Sequence, residues 1–254
     1  MALWCRDCKT VNVVAGNTPR RVTLVLPFYE NHGFILKQAE QWASWPKSLR
    51  DHVEVIVVDD GSPRPLQLDS VEGVRVRQFR IEQDVRWNWL AARNIGAHQA
   101  AGEWLLMTDM DHLVPWTTLD VVMYAQLDPK VVYAFQRYEH TGEQIHPHSA
   151  SFLMTRDMFW QIGGYDEALS GHYGTDGEYR RRLATKASIQ ILPVPLVRHE
   201  YVGDSSTVTY KRKQPQDAAV RRLVAARGKS WTPKTLSFAY HEVPVMEVAT
   251  CRVH

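Results

Sequence analysis

Residues 53–63 read VEVIVVDDGSP, and the fold is decided there. From Val53 to Val58 the run is apolar and β-branched with Glu54 as its single polar residue, the composition of a strand buried on both faces, as in a parallel sheet. Asp59 and Asp60 follow, then Gly61-Ser62-Pro63, a turn signal. The strand therefore delivers two carboxylates into a loop at its carboxyl end.

The same pattern recurs on either side. VTLVLPF (22–28) is a second buried strand meeting a loop at Pro27, and between the two lies a stretch from Gly33 to Trp45 with Phe34, Ile35, Ala39 and Trp42 near helical spacing, stopped by Pro46. Strand, helix, strand implies a parallel α/β sheet. Further strands are expected at 74–79 and 103–108 with a helix at 89–101 between them, and the second of these strands runs into Thr108-Asp109-Met110-Asp111-His112. Ligands of open α/β sheets bind beyond the carboxyl ends of the strands, so Pro27, Asp60 and Asp109 are expected to converge on one crevice. Beyond residue 115 the pattern gives a helix at 119–126, strands at 131–136 and 151–154, and a helix at 157–162 broken by Gly163-Gly164. A helix at 176–187, a strand at 189–193 and a polar, basic tail from Asp204 follow.

The 254 residues suffice for one large core. Thirty Lys and Arg against 28 Asp and Glu give a charge of +2, far from that of a dedicated nucleic-acid binder. No run reaches the roughly 18 apolar residues of a membrane span, and the start, MALWCRDCKT, lacks the apolar stretch of a signal peptide. With three cysteines, too few for a disulfide scaffold, a cytoplasmic location is expected.

Two carboxylates one residue apart at a strand end can share a pocket, and their hard oxygens suit Mg²⁺ or Mn²⁺, with a diphosphate completing the shell. Alternatively Asp109 and Asp111 cap the helix near Pro115.

Four ordered blocks resemble glycosyltransferase family 2 and related GT-A enzymes across residues 21–201: VTLVLPFYEN, VEVIVVDDGSP, AARNIGAHQAAGEWLLMTDMDH, and IGGYDEALSGHYGTDGEYRRRL followed by VRHEY. The resemblance implies a GT-A (Rossmann-like) fold with a mostly parallel central sheet flanked by helices. It divides the chain into an N-terminal extension (1–20), a transferase domain (21–204) and a basic C-terminal extension (205–254) on the acceptor side. It implies a UDP-sugar donor whose nucleotide meets Pro27, Tyr29, Glu30, Asp60, Arg93 and Asn94. It further implies a cation, Mn²⁺ or Mg²⁺, on Asp111 and His199, with Asp109 on metal or ribose; His112 and His172 are the rival imidazoles. A histidine ligand favours Mn²⁺ over harder cations.

Inverting sugar transfer needs a base on the acceptor face. GHYGTDGEY resembles the Gly-Trp-Gly-Gly-Glu-Asp segment of galactosyl- and N-acetylgalactosaminyl-transferases, which makes Asp176 the expected base, at a helix amino terminus that favours its ionised form. Glu178 is the substitute, and a capping role for Asp176 is the structural alternative. The sequence departs from those relatives at Thr175, where they carry Glu, and His172, where they carry Trp; both face the acceptor there. The acceptor is expected to be a glycan hydroxyl.

Arg180-Arg181-Arg182, Lys211-Arg212-Lys213 and Arg221-Arg222 make the last third cationic, ordinarily a solvated face. The other reading is an anionic acceptor, a hydroxylated or hydroxymethylated base in DNA, with Trp231 or Tyr210 stacking on it. Cys5, Cys8, Cys251 and His254 together have the composition of a structural Zn²⁺ site. A nucleotidyltransferase would need a Gly-rich phosphate loop after the first strand, which is followed instead by Tyr29-Glu30. A non-catalytic carbohydrate- or nucleic-acid-binding module is the reading from another class, and it would be marked by a missing metal carboxylate or base.

Overall fold

Three buried strands, β1 (Val22–Phe28), β2 (Val53–Asp59) and β4 (Trp104–Met107), lie parallel with β1 in the middle, Val22 standing opposite both Val53 and Trp104. The computed structural model describes residues 14, 16, 18–200 and 215–247. Because successive side chains of a strand point to opposite faces, the apolar runs feed two cores. Val22, Leu24, Leu26, Val53, Val55 and Val57 pack with Phe34 and Trp42 of α1 (His32–Ala43), Leu49 of α2 (Lys47–Arg50) and Leu119 of α4 (Trp116–Tyr124). On the other face, Val25, Ile56, Val58, Leu105 and Met107 pack with α3 (Trp89–Gln99), α5 (Arg156–Ile162) and α6 (Asp176–Lys186). Helix α3 rests so close on β1 that a Cβ on Gly96 would stand 2.3 Å from Val25 Cγ1.

The remaining strands are β3 (Arg75–Ile81), β5 (His112–Leu113), β6 (Val131–Glu139), β7 (Gln144–Ile145), β8 (Phe152–Thr155), β9 (Ser188–Arg198) and β10 (Tyr240–Val243). The sheet order is β10-β3-β2-β1-β4-β8-β6-β9-β5, with β7 beside β6. Strands β3, β2, β1 and β4 form the parallel half, and β8 pairs antiparallel with β4. This is the expected α/β architecture of a central sheet flanked by helices, but the sheet is mixed rather than mostly parallel, since β10, β8, β7 and β5 pair antiparallel with their neighbours.

Two departures from expectation bear on the site. Strand β9 does not end at Pro193: it runs to Arg198, because a register shift against β6, where Phe135 faces Leu192 and Gln136 faces Pro195, absorbs the proline-bearing segment. The tail is not merely polar and basic. It forms helix α7 (Pro215–Ala225) and then β10, which pairs antiparallel with β3 and extends the parallel half. Cys5, Cys8, Cys251 and His254, together with Tyr210 and the Lys211–Lys213 cluster, lie outside the described residues.

Candidate active site

The loop after β2 is built by Asp59. Its carboxylate, fully buried, accepts from Ser62 N (2.9 Å), Leu66 N (3.0 Å) and Arg80 Nη1 (2.5 Å), while Arg80 Nη2 holds Ser62 O at 2.9 Å. Asp60 is thereby left over. Its backbone N–H reaches Phe28 O at the end of β1 (2.9 Å), and its buried Oδ1 has no partner among the described residues. Burial, reinforced by Asp59 and Asp84, pushes the Asp60 carboxyl well above the ordinary carboxylate range. Gly61, at φ +88°, presses this turn onto the loop after β3: a Cβ there would stand 2.3 Å from Gln83 O.

Beside Asp60, Tyr29 donates to Asp84 Oδ1 (3.1 Å), and burial followed by Asp84 pushes its phenol up to about 12. Glu30, at φ +54°, donates its N–H to Ser62 Oγ (3.1 Å) and accepts from Arg64 N (3.2 Å). Pro27 is the penultimate residue of β1, opposite Val58. These residues share one edge, the carboxyl ends of adjacent parallel strands.

The loop after β4 joins that edge. The Asp109 and Asp111 side chains are 37% and 36% exposed, open enough to meet a ligand. Arg93, fully buried on α3, donates from Nη2 to Asp109 Oδ1 (2.5 Å) and from Nη1 to Ala150 O and Tyr165 OH. Burial opposes the Arg93 charge, but Tyr165 and Asp109 outweigh it and raise the guanidinium above its usual value. His148 approaches the other oxygen of Asp109 at 3.3 Å and bonds Ser151 Oγ at 2.8 Å; Ser151 in turn bonds Thr108. Burial lowers His148 to about 4 against the pull of Asp109, so it is neutral at physiological pH.

Asp111 is held by His112 Nδ1 (2.6 Å), whose Nε2 accepts from Arg137 Nε (2.7 Å); the ring therefore carries its proton on Nδ1 and donates it to Asp111. Burial pushes the Asp111 carboxyl up, but His112, His148 and Arg137 hold it below the ordinary range, and hence ionised. Both nitrogens of buried His112 are spent, which removes it as a metal ligand.

His199, just past β9, donates its backbone N–H to Asp111 O (2.9 Å), and its buried Nε2 has no partner among the described residues. Burial, then Lys37, lowers the imidazole, leaving a neutral ring with a free lone pair. Among the described residues no three His, Cys, Asp or Glu side chains stand at metal-ligand spacing. The donor chemistry nevertheless fits a divalent cation, since an ionised carboxylate and an unpartnered neutral imidazole are carried by hydrogen-bonded backbones.

Asp176 opens α6, half-buried and with no hydrogen-bond partner among the described residues; it acts electrostatically on Tyr165, which also meets Arg93. Thr175, at the N-cap, does not cap the helix through its side chain, and its buried Oγ1 has no partner among the described residues. His172 Nδ1 lies 3.3 Å from Ser170 O in the preceding loop.

Asn94 and Glu178 are occupied elsewhere. The Asn94 amide accepts from Tyr165 N (2.8 Å) and donates to Tyr165 O and Glu167 Oε1 (both 2.8 Å), fastening α3 to the Gly163–Tyr165 turn. Glu178 is buried between Arg182 (2.8 Å) and Arg227 (2.6 Å), so it is no free substitute for Asp176. Arg182 also donates to Ile162 O and Gly164 O, and Arg227 bonds Asp166 at 2.5 Å and stacks on Trp231 at 3.6 Å. These arginines and Trp231 thus serve internal contacts rather than a solvated face. The C-terminal segment is tied to the same place by Lys234 N on Asp166 and by Leu236 N and Ser237 N on Glu167.

The family model for glycosyl transferase family 2 matches residues 23–184, more than half of the chain, a range that includes Pro27, Tyr29, Asp60, Asp109, Asp111 and Asp176 but not His199. Comparison with curated proteins gives no match. Among solved structures, the chain is similar to a fragment of S. aureus TarS, residues 1–349, in complex with UDP-GlcNAc. The TM-score is 0.61 and the identity 17%, over 81% of this chain and 65% of that one. It is also similar to GalNAc-T7 with UDP, GalNAc and Mn²⁺ (TM-score 0.55, 14% identity, 81% and 48% covered). A third is the mannosyltransferase PcManGT from Pyrobaculum calidifontis with GDP-Man and Mn²⁺ (0.52, 17%, 87% and 80%). At these identities the likeness is one of fold, and the chain spans just under two thirds of the TarS fragment.

Proposed function

Because the chain belongs to glycosyl transferase family 2, we propose that it moves a hexose or N-acetylhexosamine from a UDP-sugar to a hydroxyl of a glycan, with inversion and with help from Mn²⁺ or Mg²⁺. The observation that carries this reading is that Asp60 follows the carboxyl end of β2 and Asp109 and Asp111 that of β4, the two strands that flank β1 in parallel. Each has a separate chemical task there.

The buried Oδ1 of Asp60, which has no partner among the described residues, calls for a hydrogen bond, which the N–H edge of a uracil would supply. Asp111 and His199 would hold the cation, with Asp109 on the cation or the ribose. When bound, the cation neutralises the charge that gathers on the diphosphate. Arg93 and His148 fix the Asp109 carboxylate, and His112 fixes that of Asp111.

Asp176 takes the proton of the acceptor hydroxyl as its oxygen bonds to the anomeric carbon. On the opposite face the carbon–oxygen bond to the diphosphate breaks, and its electron pair leaves on the diphosphate. The C-terminal extension lies on the acceptor side of the proposed site, fastened to Asp166, Glu167 and Glu178. Among the described residues no helix is long and apolar enough to cross a membrane, and a cytoplasmic location suits the three cysteines.

Calorimetric titration with UDP, GDP and CDP, each with and without Mn²⁺, tests the donor half on wild type and Asp111→Ala. UDP binding that needs both Mn²⁺ and Asp111 is the expected result. Failure of every nucleoside diphosphate to bind under either condition would overturn the reading in favour of a binding module that keeps only the fold.

A further inference from the structure

The loop that follows β3 and the loop that precedes α6 meet through aromatic rings. Trp87 and Tyr173 stand edge to face, centroids 5.0 Å apart, and both are half-buried rather than sunk in the core. Trp87 sits at φ +56°, a backbone region that a bulky side chain rarely adopts and that clusters at functional sites. Tyr173 lies between Gly171 and Gly174, both also at positive φ. Beside Trp87 in the chain, buried Asn88 accepts from Ser170 Oγ (2.6 Å) while its Nδ2 has no partner among the described residues.

The position of the pair matters as much as its chemistry. Trp87 follows Asp84, the residue that holds Tyr29 on the donor edge, and Tyr173 precedes Asp176. The ring contact thus joins the loop that carries Asp84 to the loop that leads into Asp176, between which an acceptor would lie for its hydroxyl to reach donor and base.

We infer that Trp87 and Tyr173 form the platform on which the acceptor is held, and that the acceptor is a saccharide; this rests on the glycosyltransferase reading above. The C–H face of a pyranose is apolar and slightly positive, matching the negative face of an aromatic ring. A nucleic-acid strand would need cations along its phosphates. The stretches 82–88 and 163–175 contain a single Lys or Arg, Arg86, and they and the start of α6 present Glu82, Asp84 and Asp176. Arg182 and Arg227 are spent on Glu178 and Asp166.

The test is saturation-transfer NMR and calorimetry on the full chain with chitobiose, cellobiose and lactose as saccharide probes and an eight-nucleotide thymidylate strand as the nucleic-acid probe. Wild type is expected to bind at least one disaccharide, Trp87→Ala and Tyr173→Ala to weaken it about tenfold or more, and Tyr173→Phe, which keeps the ring, to stay within about threefold. Binding of no disaccharide, equal binding in both alanine variants, or ring-dependent binding of the thymidylate strand in place of the sugars overturns the platform. Should Trp87→Ala lose its fold, seen as a lost thermal transition, the two Tyr173 variants decide. A UDP titration of wild type reads the donor half separately. Ring-dependent sugar binding without UDP binding would keep the platform and sink the UDP-sugar reading, and UDP binding without sugar binding would do the reverse.

Discussion

Asp60 is a carboxyl placed where ionisation is unfavourable, in a buried turn with Asp59 and Asp84 as its neighbours. Its folded-state affinity for a proton exceeds its unfolded one, so the folded chain binds more protons in the window above the ordinary carboxylate value, and stability falls as pH rises through that window. Asp60→Asn removes this penalty. The variant is expected to melt about 3 °C or more above wild type at pH 8, with the gap closing toward pH 4, and to lose about tenfold or more in UDP affinity. Differential scanning calorimetry and titration calorimetry check the two halves, and a lower melting temperature at pH 8 would contradict the first. Asp176→Asn is expected to keep Mn²⁺-dependent UDP binding and to lower transfer by about 100-fold or more, measured as UDP released with acceptor present; unimpaired turnover would remove Asp176 as the base. Asp60, Asp109 and Asp111 were legible in the sequence because each follows an apolar run whose end is unmistakable. His148, Ser151 and Arg137 were not, since they sit singly on a loop and on β6 with no spacing to mark them, and only the sheet order brings them to Asp109 and Asp111. Asn94 carried a motif, yet the motif could not reveal that its amide is spent on Tyr165 and Glu167.

At the level of elements, the contact between α6 and the C-terminal segment rests on Arg227, whose removal would strand two buried carboxylates, Asp166 and Glu178. Arg227→Met is expected to cost about 3–5 kcal/mol, read as a lower urea midpoint with an unchanged slope. A cost under about 1 kcal/mol would show that Arg182 and the backbone donors suffice. Gly96→Ala forces a methyl onto Val25 where α3 crosses β1 and is expected to cost about 1–3 kcal/mol in the same assay. The strands of the parallel half were readable from their continuous apolar runs. The prolines at 193 and 195 hide the second half of strand β9 in the sequence, because proline ordinarily ends a central strand, and the register shift that accommodates them depends on its pairing with β6. That shift has a functional result, since only a strand that continues to Arg198 brings His199 to Asp111.

For the whole molecule, β10 covers what would otherwise be the open edge of β3, with Arg77 bridging to Glu242 at 2.8 Å and Gln99 to the Tyr240 hydroxyl at 2.9 Å. Deleting residues 239–247 uncovers that edge and is expected to raise light scattering on incubation at 37 °C, whereas replacing Glu242 by Gln should leave the protein monodisperse. Strand β10 was not legible from sequence: YHEV is short and polar at its centre, and nothing local names a partner. Arg77 and Glu242 are 165 residues apart along the chain. At about 5–20 residues per second of synthesis, a ribosome that has finished β3 works for roughly eight to thirty seconds before the strand that shields it exists. During that interval the nascent chain exposes an unpaired strand edge, and anything that slows translation over the last third lengthens its dependence on chaperones.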